Sequence, residues 1–558
     1  MFKKVVLFAV LISAICVNAG EVDKLAQEYI NTRARFYPIW ATGVGINDYD
    51  SLLTDYSSEA IFYYRNDMAI FRQKLAAIDT TRLSVDELID YKLMFANLEY
   101  DEFILTRFPL HSLSAALYIE EITDGLYLLL IDKSRSIEEK APFLLARLKR
   151  IGDYTEQRWE YQYEFASIYY ETAIEMTDGA IDLINETGKI LLEVMPDSSR
   201  MISRYMQNAV RDMKSYKMYC QVENGSTIGT HVIGKDNLNF LLKDVYFLNV
   251  NSDSLKQIGW QWYKKAESAM DSLQKVMDTK GQLPKPVIFQ KELTKQDILD
   301  YYQREINETA DFFRNKDIVT IPQDIGPCVP MEMPEFMRAI RKGIAYQPPP
   351  PFSKDQTGYF YVRPIEDLDS AAIAKYCAMI QQHGFRGSVT HEAYPGHHLQ
   401  LSIANRNHDP LRKIQSNTML QEGWALYCEQ MATEQGLFAD DDLAKRWYGV
   451  WGGIRFRAVR IIVDCSLAEG SMTPDSALVF MNTTLGENTE YYKAEIRRYC
   501  ANPTQALSYL TGKLMIMEML EKARQKEGKS FSLKEFHNKL LAEGSIPPEL
   551  IAEKLGYK

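Results

Sequence analysis

The most informative segment of this chain is Thr390-His391-Glu392-Ala393-Tyr394-Pro395-Gly396-His397-His398-Leu399-Gln400. It has the pattern of a helix that carries a His-Glu pair and, beyond a Pro-Gly break, two further imidazoles. Two imidazoles on such a helix can bind a zinc ion, and the glutamate beside them can act as a general base. The segment therefore predicts a metal centre with His391 as one ligand and Glu392 as the base.

The spacing of the histidines departs from the common HExxH pattern, in which the two ligands lie one helical turn apart. On a straight helix, His391 and His398 would share a face but lie about 10 Å apart along the axis, whereas a zinc–nitrogen bond is about 2.1 Å long. His397 would point about a third of a turn away. We therefore predict a two-residue bulge between Tyr394 and Gly396, and the spacing alone leaves His397 and His398 open as second ligand.

A third ligand is expected on the next helical stretch, Met419–Glu429. Glu422 stands there among apolar residues, where a carboxylate is costly to bury without a cation. It follows His397 by 25 residues, which leaves room for a turn and a returning helix. Glu429 is the competing carboxylate on the same face, but its polar neighbours predict a solvated side chain.

Three blocks of the chain, His391–Gln400, Glu422–Glu429 and Arg498–Lys513, resemble a large bacterial family of secreted proteins known as domain of unknown function 885. Matching blocks extend from about Gly358 to Leu550. That family is distantly similar to the helical gluzincin peptidases, which include thimet-type oligopeptidases, angiotensin-converting enzyme and thermostable carboxypeptidases. The resemblance implies a large helical zincin-like clamshell with a deep cleft and a preference for short peptides.

The resemblance also implies roles for individual residues. A Gly-His pair often ends the motif in those peptidases, which favours His397 over His398 as second ligand. The segment Tyr509-Leu510-Thr511-Gly512 is similar to one that supplies a phenol to the tetrahedral intermediate. The implied centre is one Zn²⁺ per chain held by His391, His397 and Glu422, with Glu392 activating the zinc-bound water and Tyr509 stabilising the oxyanion.

Two arginines are candidates for binding substrate. A guanidinium can hold a carboxylate through two parallel hydrogen bonds, so Arg457 or Arg498 could bind the carboxylate of a peptide and make the enzyme an exopeptidase. The alternative for Arg457 is a structural ion pair, because Arg460 and Asp464 lie on the same predicted helix. The residues themselves leave both interpretations open.

The remaining pattern predicts a mainly α fold with a small β element. Short apolar segments predict strands at Pro286–Gln290, Ile318–Pro322 and Gly358–Val362. The third could be an edge strand that aligns the substrate backbone through Tyr361. Apolar residues at three- and four-residue spacings predict the main helices, among them Leu83–Glu99, Ile137–Thr172, Ser254–Thr279 and Lys295–Phe313.

The N-terminus has the order of a secretory signal peptide. Two lysines precede the apolar run Val5–Val17, and Ala19 is a small residue suited to cleavage. The bulky residue before Cys16 disfavours lipoprotein anchoring, so we expect an exported, periplasmic or secreted protein without an integral membrane segment. A proline-rich break at Gln347–Phe352 divides the chain, which gives a signal peptide at 1–19, a helical part at 20–345 and a metal-binding part at 346–558, the two parts expected to form one compact unit.

Composition and charge exclude some classes of protein and some binding partners. The chain has 46% hydrophobic and 25% charged residues, which excludes disordered and fibrous classes. Its 64 basic and 75 acidic side chains give a net charge of −11, and without a basic run among aromatics nucleic acid is not an expected partner. The scattered cysteines favour buried thiols over a disulfide scaffold, and the oligomeric state is left open.

The expected function is a zinc metallopeptidase that acts on short peptides. A zinc amidase acting on cell-wall or other non-protein amides would share the same metal site. A zinc- or peptide-binding protein without turnover is the alternative outside enzymes, but binding alone has no need of a general base such as Glu392. Cobalt or manganese could occupy the same ligands.

Overall fold

Helices dominate the residues that the computed structural model describes, which are 20–157, 165–225, 229–279, 294–338, 343–364, 369–381, 384–438 and 443–558. The predicted mainly α fold is confirmed. The predicted signal peptide and the predicted strand Pro286–Gln290 lie outside these residues. None of the helices within them is long and apolar enough to cross a membrane.

The α-helices in the described ranges are, in chain order, α1 (Glu21–Phe36), α2 (Pro38–Val44), α3 (Ser58–Ala76), α4 (Val85–Glu102), α5 (Leu110–Leu113), α6 (Ala115–Ile131), α7 (Ile137–Glu156), α8 (Ser167–Val194), α9 (Ser199–Glu223), α10 (Lys235–Phe240), α11 (Ser252–Thr279), α12 (Lys295–Lys316), α13 (Glu335–Arg338), α14 (Ser370–Gln381), α15 (Arg386–Glu392), α16 (His397–Ala404), α17 (Pro410–Lys413), α18 (Thr418–Glu434), α19 (Leu443–Glu469), α20 (Pro474–Leu485), α21 (Thr489–Ala501), α22 (Gln505–Glu527), α23 (Leu533–Ala542) and α24 (Pro548–Leu555).

Local sequence explains where several of these helices begin. At the start of α4 the Ser84 hydroxyl accepts from the backbone N–H of Glu87, whose carboxylate accepts from the backbone N–H of Ser84, so two N–H groups without helical partners are satisfied. The predicted helix Ile137–Thr172 is wrong in its length, because α7 ends and α8 begins within it. The chain leaves helical geometry there, since the N–H of Ala166 donates to the carbonyl of Leu113 instead.

A three-stranded sheet accompanies the helices. Its strands are β1 (Cys328–Glu332), β2 (Ala345–Gln347) and β3 (Gly358–Val362), in the order β1-β3-β2. The predicted strand at Gly358–Val362 is confirmed, but its position at an edge is wrong, because β3 pairs in parallel with β1 and antiparallel with β2. The backbone of this strand is therefore already hydrogen-bonded on both sides.

The segment Ile318–Pro322, also predicted to be a strand, does not form one. Its polar backbone groups pair with side chains of α23 instead of with another strand. The carbonyl of Ile318 accepts a hydrogen bond from His537, and the N–H of Thr320 donates to Asn538.

One buried core connects the two predicted parts of the chain. It extends from Leu25 in α1 to Tyr557 beyond α24 and includes all three strands. The strand Ala345–Gln347 itself spans the predicted division, which stays a prediction. All six cysteines of the described residues are buried as free thiols within this helical body.

Two glycines set the distance between α18 and α22, the helices that carry Glu422 and Tyr509. A Cβ added to Gly512 would lie 1.8 Å from the carbonyl oxygen of Met419 and 3.0 Å from the Cα of Gly423. The glycine of the Tyr-x-x-Gly segment is therefore needed for close helix packing, and it fixes the phenol against the helix that carries the carboxylate.

Replacing Gly512 by Ala is expected to destabilise the protein by about 1–3 kcal/mol, because the methyl group can be placed only by separating the helices. Urea unfolding of purified variants measures this change. The matched control is Gly449→Ala in α19, where an added Cβ meets nothing within 4 Å and alanine favours the helix. Equal stability of the two variants would contradict the close packing.

Candidate metal centre

The motif segment forms two short helices rather than one bulged helix. The predicted bulge is wrong: α15 ends at Glu392 and α16 begins at His397. The chain between them packs so tightly on α15 that a Cβ on Gly396 would lie 1.8 Å from the carbonyl oxygen of His391. The indole N–H of Trp424 donates to the carbonyl of Pro395 at 2.7 Å and anchors this break to α18.

The break brings three candidate ligands to one point. Glu422 Oε2 lies 3.5 Å from His391 Nε2 and 3.2 Å from His397 Nε2, and the three side chains offer ligand atoms within 4.8 Å of one another. Bonds of about 2.0–2.1 Å in a tetrahedral site separate ligand atoms by about 3.4 Å. The donor set and its spacing fit a zinc ion.

The electrostatics of this point favour a cation. Glu422 Oε2 is buried and has no hydrogen-bond partner of good geometry within the described residues. Burial opposes a positive charge on His391, yet the nearby carboxylate of Glu422, the hydrogen bond to Glu429 and the charge of Glu392 raise its pKa to about 10. The pKa of Glu422 is held well below its usual range by the two histidines in spite of its burial. Buried carboxylates therefore surround imidazoles whose nitrogens converge, as a bound divalent ion requires.

The structure distinguishes between the two adjacent histidines. His397 turns towards His391 and Glu422, with its ring centre 4.9 Å from that of His391. His398 is fully buried on the other side, where its Nδ1 accepts from the hydroxyl of Tyr346 at 2.8 Å and its Nε2 donates to the carbonyl of Gly326 at 3.0 Å. Burial lowers the pKa of His398 to about 4, so this ring is a neutral structural group.

The predicted general base lies beside the three candidate ligands. Glu392 Oε2 is 4.0 Å from His397 Nε2, and its side chain is 13% exposed. That distance is too long for a direct hydrogen bond, and a water molecule beside the ligands would be within reach of the carboxylate. Glu392 is therefore placed to exchange a proton with a water near the ligands without being a ligand itself.

Glu429 is not the solvated carboxylate that its neighbours predict. Its Oε1 accepts a hydrogen bond from His391 Nδ1 at 2.8 Å and lies 3.5 Å from Arg457 Nη2. In spite of burial, the charge of Arg457 and the hydrogen bond from His391 lower the pKa of Glu429 to about 2. This carboxylate fixes the tautomer of His391 that presents Nε2 to the centre, and its position two turns after Glu422 is the sequence signal for it.

Replacing Glu429 by Gln is expected to weaken zinc binding by about 10- to 100-fold, because the imidazole loses the charge that orients it and raises its basicity. Competition titration against a chromogenic zinc chelator measures the affinity. The matched control is Glu434→Gln, one turn further along α18 and exposed. An affinity equal to that of the control would contradict the role of Glu429.

Tyr509 lies against the candidate centre. Its ring stacks on that of His391 with centres 6.3 Å apart and planes 17° apart. Burial and the charge of Glu422 raise its pKa although Arg498 and Arg460 lower it, so the phenol keeps its proton and can donate it. Gln505 was not found from the sequence: its amide donates to Glu422 Oε1 at 3.1 Å and to the hydroxyl of Tyr509 at 3.3 Å.

The predicted ion pair of Arg457 or Arg460 with Asp464 is wrong. The carboxylate of Asp464 accepts instead from the backbone N–H groups of Thr504 at 3.1 Å and Leu507 at 2.8 Å. It therefore caps α22, whose first residues have no helical partners for their N–H groups. Burial raises the pKa of Asp464 to about 7 in spite of these bonds.

The other two residues predicted to bind substrate, Arg498 and Tyr361, are both bonded to other side chains. Arg498 donates to Glu495 at 2.8 Å and to Gln505, so it reaches the ligands only through the amide. Tyr361 is fully buried in β3 and its hydroxyl bonds to that of Tyr127. A central strand and a buried ring do not support the predicted contact of Tyr361 with substrate.

Similar proteins agree with this fold but do not establish an activity. The chain is similar to the solved structure of a candidate lipoprotein of unknown function from Shewanella oneidensis, with 20% identity, a TM-score of 0.78, and coverage of 96% of this chain and 100% of the other. A candidate lipoprotein from Colwellia psychrerythraea gives 18% identity and a TM-score of 0.78, with coverage of 96% and 99%. These likenesses show the fold, and no curated protein matches the sequence.

The sequence-based family model for bacterial proteins of unknown function (DUF885) matches residues 38–555. The match includes every residue of the candidate centre and the helices α15, α16, α18 and α22 that carry them. The chain therefore belongs to the DUF885 family of bacterial proteins.

Proposed function

We propose that this protein is an exported zinc metallopeptidase that hydrolyses short peptides. The observation that carries the proposal is the convergence of one ligand atom each from His391, His397 and Glu422 within 4.8 Å of one another, with the carboxylate of Glu392 beside them. Three protein ligands and an adjacent carboxylate are the set that catalytic zinc sites use. The same set supports the proposed kinship with helical gluzincins, in which a glutamate on a following helix completes the site.

A zinc ion held by these residues would supply a Lewis acid that lowers the pKa of water and polarises a carbonyl group. Glu392 takes the proton of the attacking water and returns it to the leaving amine. The hydroxyl of Tyr509 donates to the oxygen on which negative charge develops. Glu429 holds His391 in place, and Gln505 positions both Glu422 and Tyr509.

Export is supported by the signal-peptide pattern of residues 1–19 and by the two structural neighbours described as candidate lipoproteins. Because those neighbours are described as lipoproteins, a lipid-anchored form is the alternative to a freely exported one, although the bulky residue before Cys16 disfavours it. Cell fractionation of the full-length protein with and without Cys16→Ser distinguishes a lipid-anchored protein from a freely exported one.

The proposed activity is tested with purified protein, elemental analysis and a mixed library of short peptides. The expected result is about one zinc per chain and cleavage that stops when the ion is removed and returns when zinc is added back. Zinc without cleavage of any peptide would contradict the peptidase and favour an amidase or a binding protein. Absence of any metal would remove the basis of the proposal.

A further inference from the structure

Among the described residues, three arginines lie near the candidate centre, and two of them are bonded to other side chains. Arg460 donates to the carboxylate of Glu495 and to the hydroxyl of Tyr499 at 2.9 Å. Arg498 donates to the same carboxylate at 2.8 Å and to Gln505. Both guanidinium groups are therefore already hydrogen-bonded to a carboxylate and to a second side chain.

Arg457 differs from both. Its Nη1 lies 3.5 Å from the carbonyl of Gly453 and its Nη2 lies 3.5 Å from Glu429 Oε1, which is the limit of a hydrogen bond. Its Nε has no partner within the described residues, although a guanidinium offers five N–H donors. This Nε atom is itself buried, but the side chain as a whole is 19% exposed, so a ligand can reach the guanidinium from its exposed part.

Two contacts, one with Glu429 and one with Tyr509, place Arg457 beside the candidate centre. Glu429 Oε1 lies 3.5 Å from Arg457 Nη2 but makes its shorter bond, 2.8 Å, to His391, so the guanidinium shares this carboxylate with the imidazole at the longer distance. The guanidinium carbon also lies 5.7 Å from the ring centre of Tyr509, and that ring stacks on His391. The Arg457 guanidinium, whose contacts are long, thus lies beside Tyr509 and the carboxylate that orients His391.

We propose that Arg457 binds a carboxylate of the substrate next to the bond that is cleaved. The inference rests on the proposed peptidase function and names its substrate class. A planar guanidinium with free donors matches a carboxylate through two parallel hydrogen bonds. The carboxylate is either the C-terminal group of the peptide, which makes the enzyme a carboxypeptidase, or an Asp or Glu side chain beside the cleaved bond.

The experiment compares one tripeptide library prepared as free acids with the same library prepared as C-terminal amides. Wild type is expected to cleave the free acids about 10- to 100-fold faster at low substrate concentration, as the loss of a charge-assisted hydrogen bond implies. If the carboxylate is a side chain, the amides that end in Asp or Glu are the ones cleaved preferentially. Equal cleavage of acids and amides regardless of sequence would overturn the inference and leave the peptidase intact.

Two variants assign the preference to Arg457. Arg457→Met is expected to remove the preference through a higher KM, and Arg457→Lys to keep part of it, because an ammonium retains the charge but not the fork. Metal content is measured for each, since Arg457 contacts Glu429. The matched control is Arg455→Met on the same helix, which faces Glu267 and the carbonyl of Leu485 and should keep the wild-type preference.

A binding measurement separates this inference from the proposed function. Glu392→Gln protein loaded with zinc is titrated calorimetrically with tri-alanine, its C-terminal amide and the amide of Ala-Ala-Glu. Tighter binding of either carboxylate-bearing peptide, lost in the Glu392→Gln and Arg457→Met double variant, supports carboxylate recognition even if no peptide is cleaved by wild type. Equal affinity for all three peptides would contradict it.

Discussion

Replacing Glu392 by Gln is expected to lower kcat/KM for peptide cleavage by about 10²- to 10⁴-fold while the protein keeps its zinc. The size of the loss is that of a general acid–base group. Glu392 lies beside the three candidate ligands without being one, so the amide removes proton transfer and leaves the ligand set unchanged. Assays on the peptide library, together with elemental analysis of the same samples, measure both quantities.

The Glu392 experiment has a matched control in Glu434→Gln, which makes the same chemical change at an exposed position of α18. The control should retain both zinc and activity. A Glu392→Gln protein that cleaves peptides at the control rate would show that the carboxylate is not the base. Loss of zinc from Glu392→Gln would instead place this residue among the ligands.

Replacing Glu422 by Gln is expected to remove bound zinc and with it both activity and a large part of the stability of the metal-loaded protein. In the proposed site the carboxylate provides one of three ligands, so the affinity should fall by more than the roughly 10- to 100-fold that an outer hydrogen-bond partner provides. A ligand that binds only the folded state at 100 times its dissociation constant stabilises it by about 2.7 kcal/mol, and this gain should vanish.

Thermal unfolding of metal-free protein with and without added zinc tests this second prediction. The wild type should be stabilised by zinc, the Glu429→Gln variant should need more zinc for the same effect, and Glu422→Gln should not respond. Because the variants are compared without metal first, a general folding defect is visible as a lower starting stability. A zinc response of Glu422→Gln equal to that of wild type would exclude Glu422 as a ligand.

His391, Glu392 and Glu422 could be named from the sequence as candidate ligands and a candidate base because each depends on local pattern. A His-Glu pair before a Pro-Gly break and a carboxylate within an apolar helical stretch are visible without a fold. The mainly α class and the strand at Gly358–Val362 followed from periodicity and composition in the same way. The residues left open whether His397 or His398 is the second ligand, and only the family resemblance favoured His397.

Tertiary structure decided the partners of these residues. The break before α16 turns His397 to the centre and buries His398 against Tyr346, and the direction of a side chain after such a break depends on what packs around it. Glu429 accepts a hydrogen bond from His391, which is 38 residues away. Asp464 caps the start of α22, where Thr504 is 40 residues away. Local sequence therefore determined which groups could do chemistry, whereas helix packing over long separations determined which of them meet.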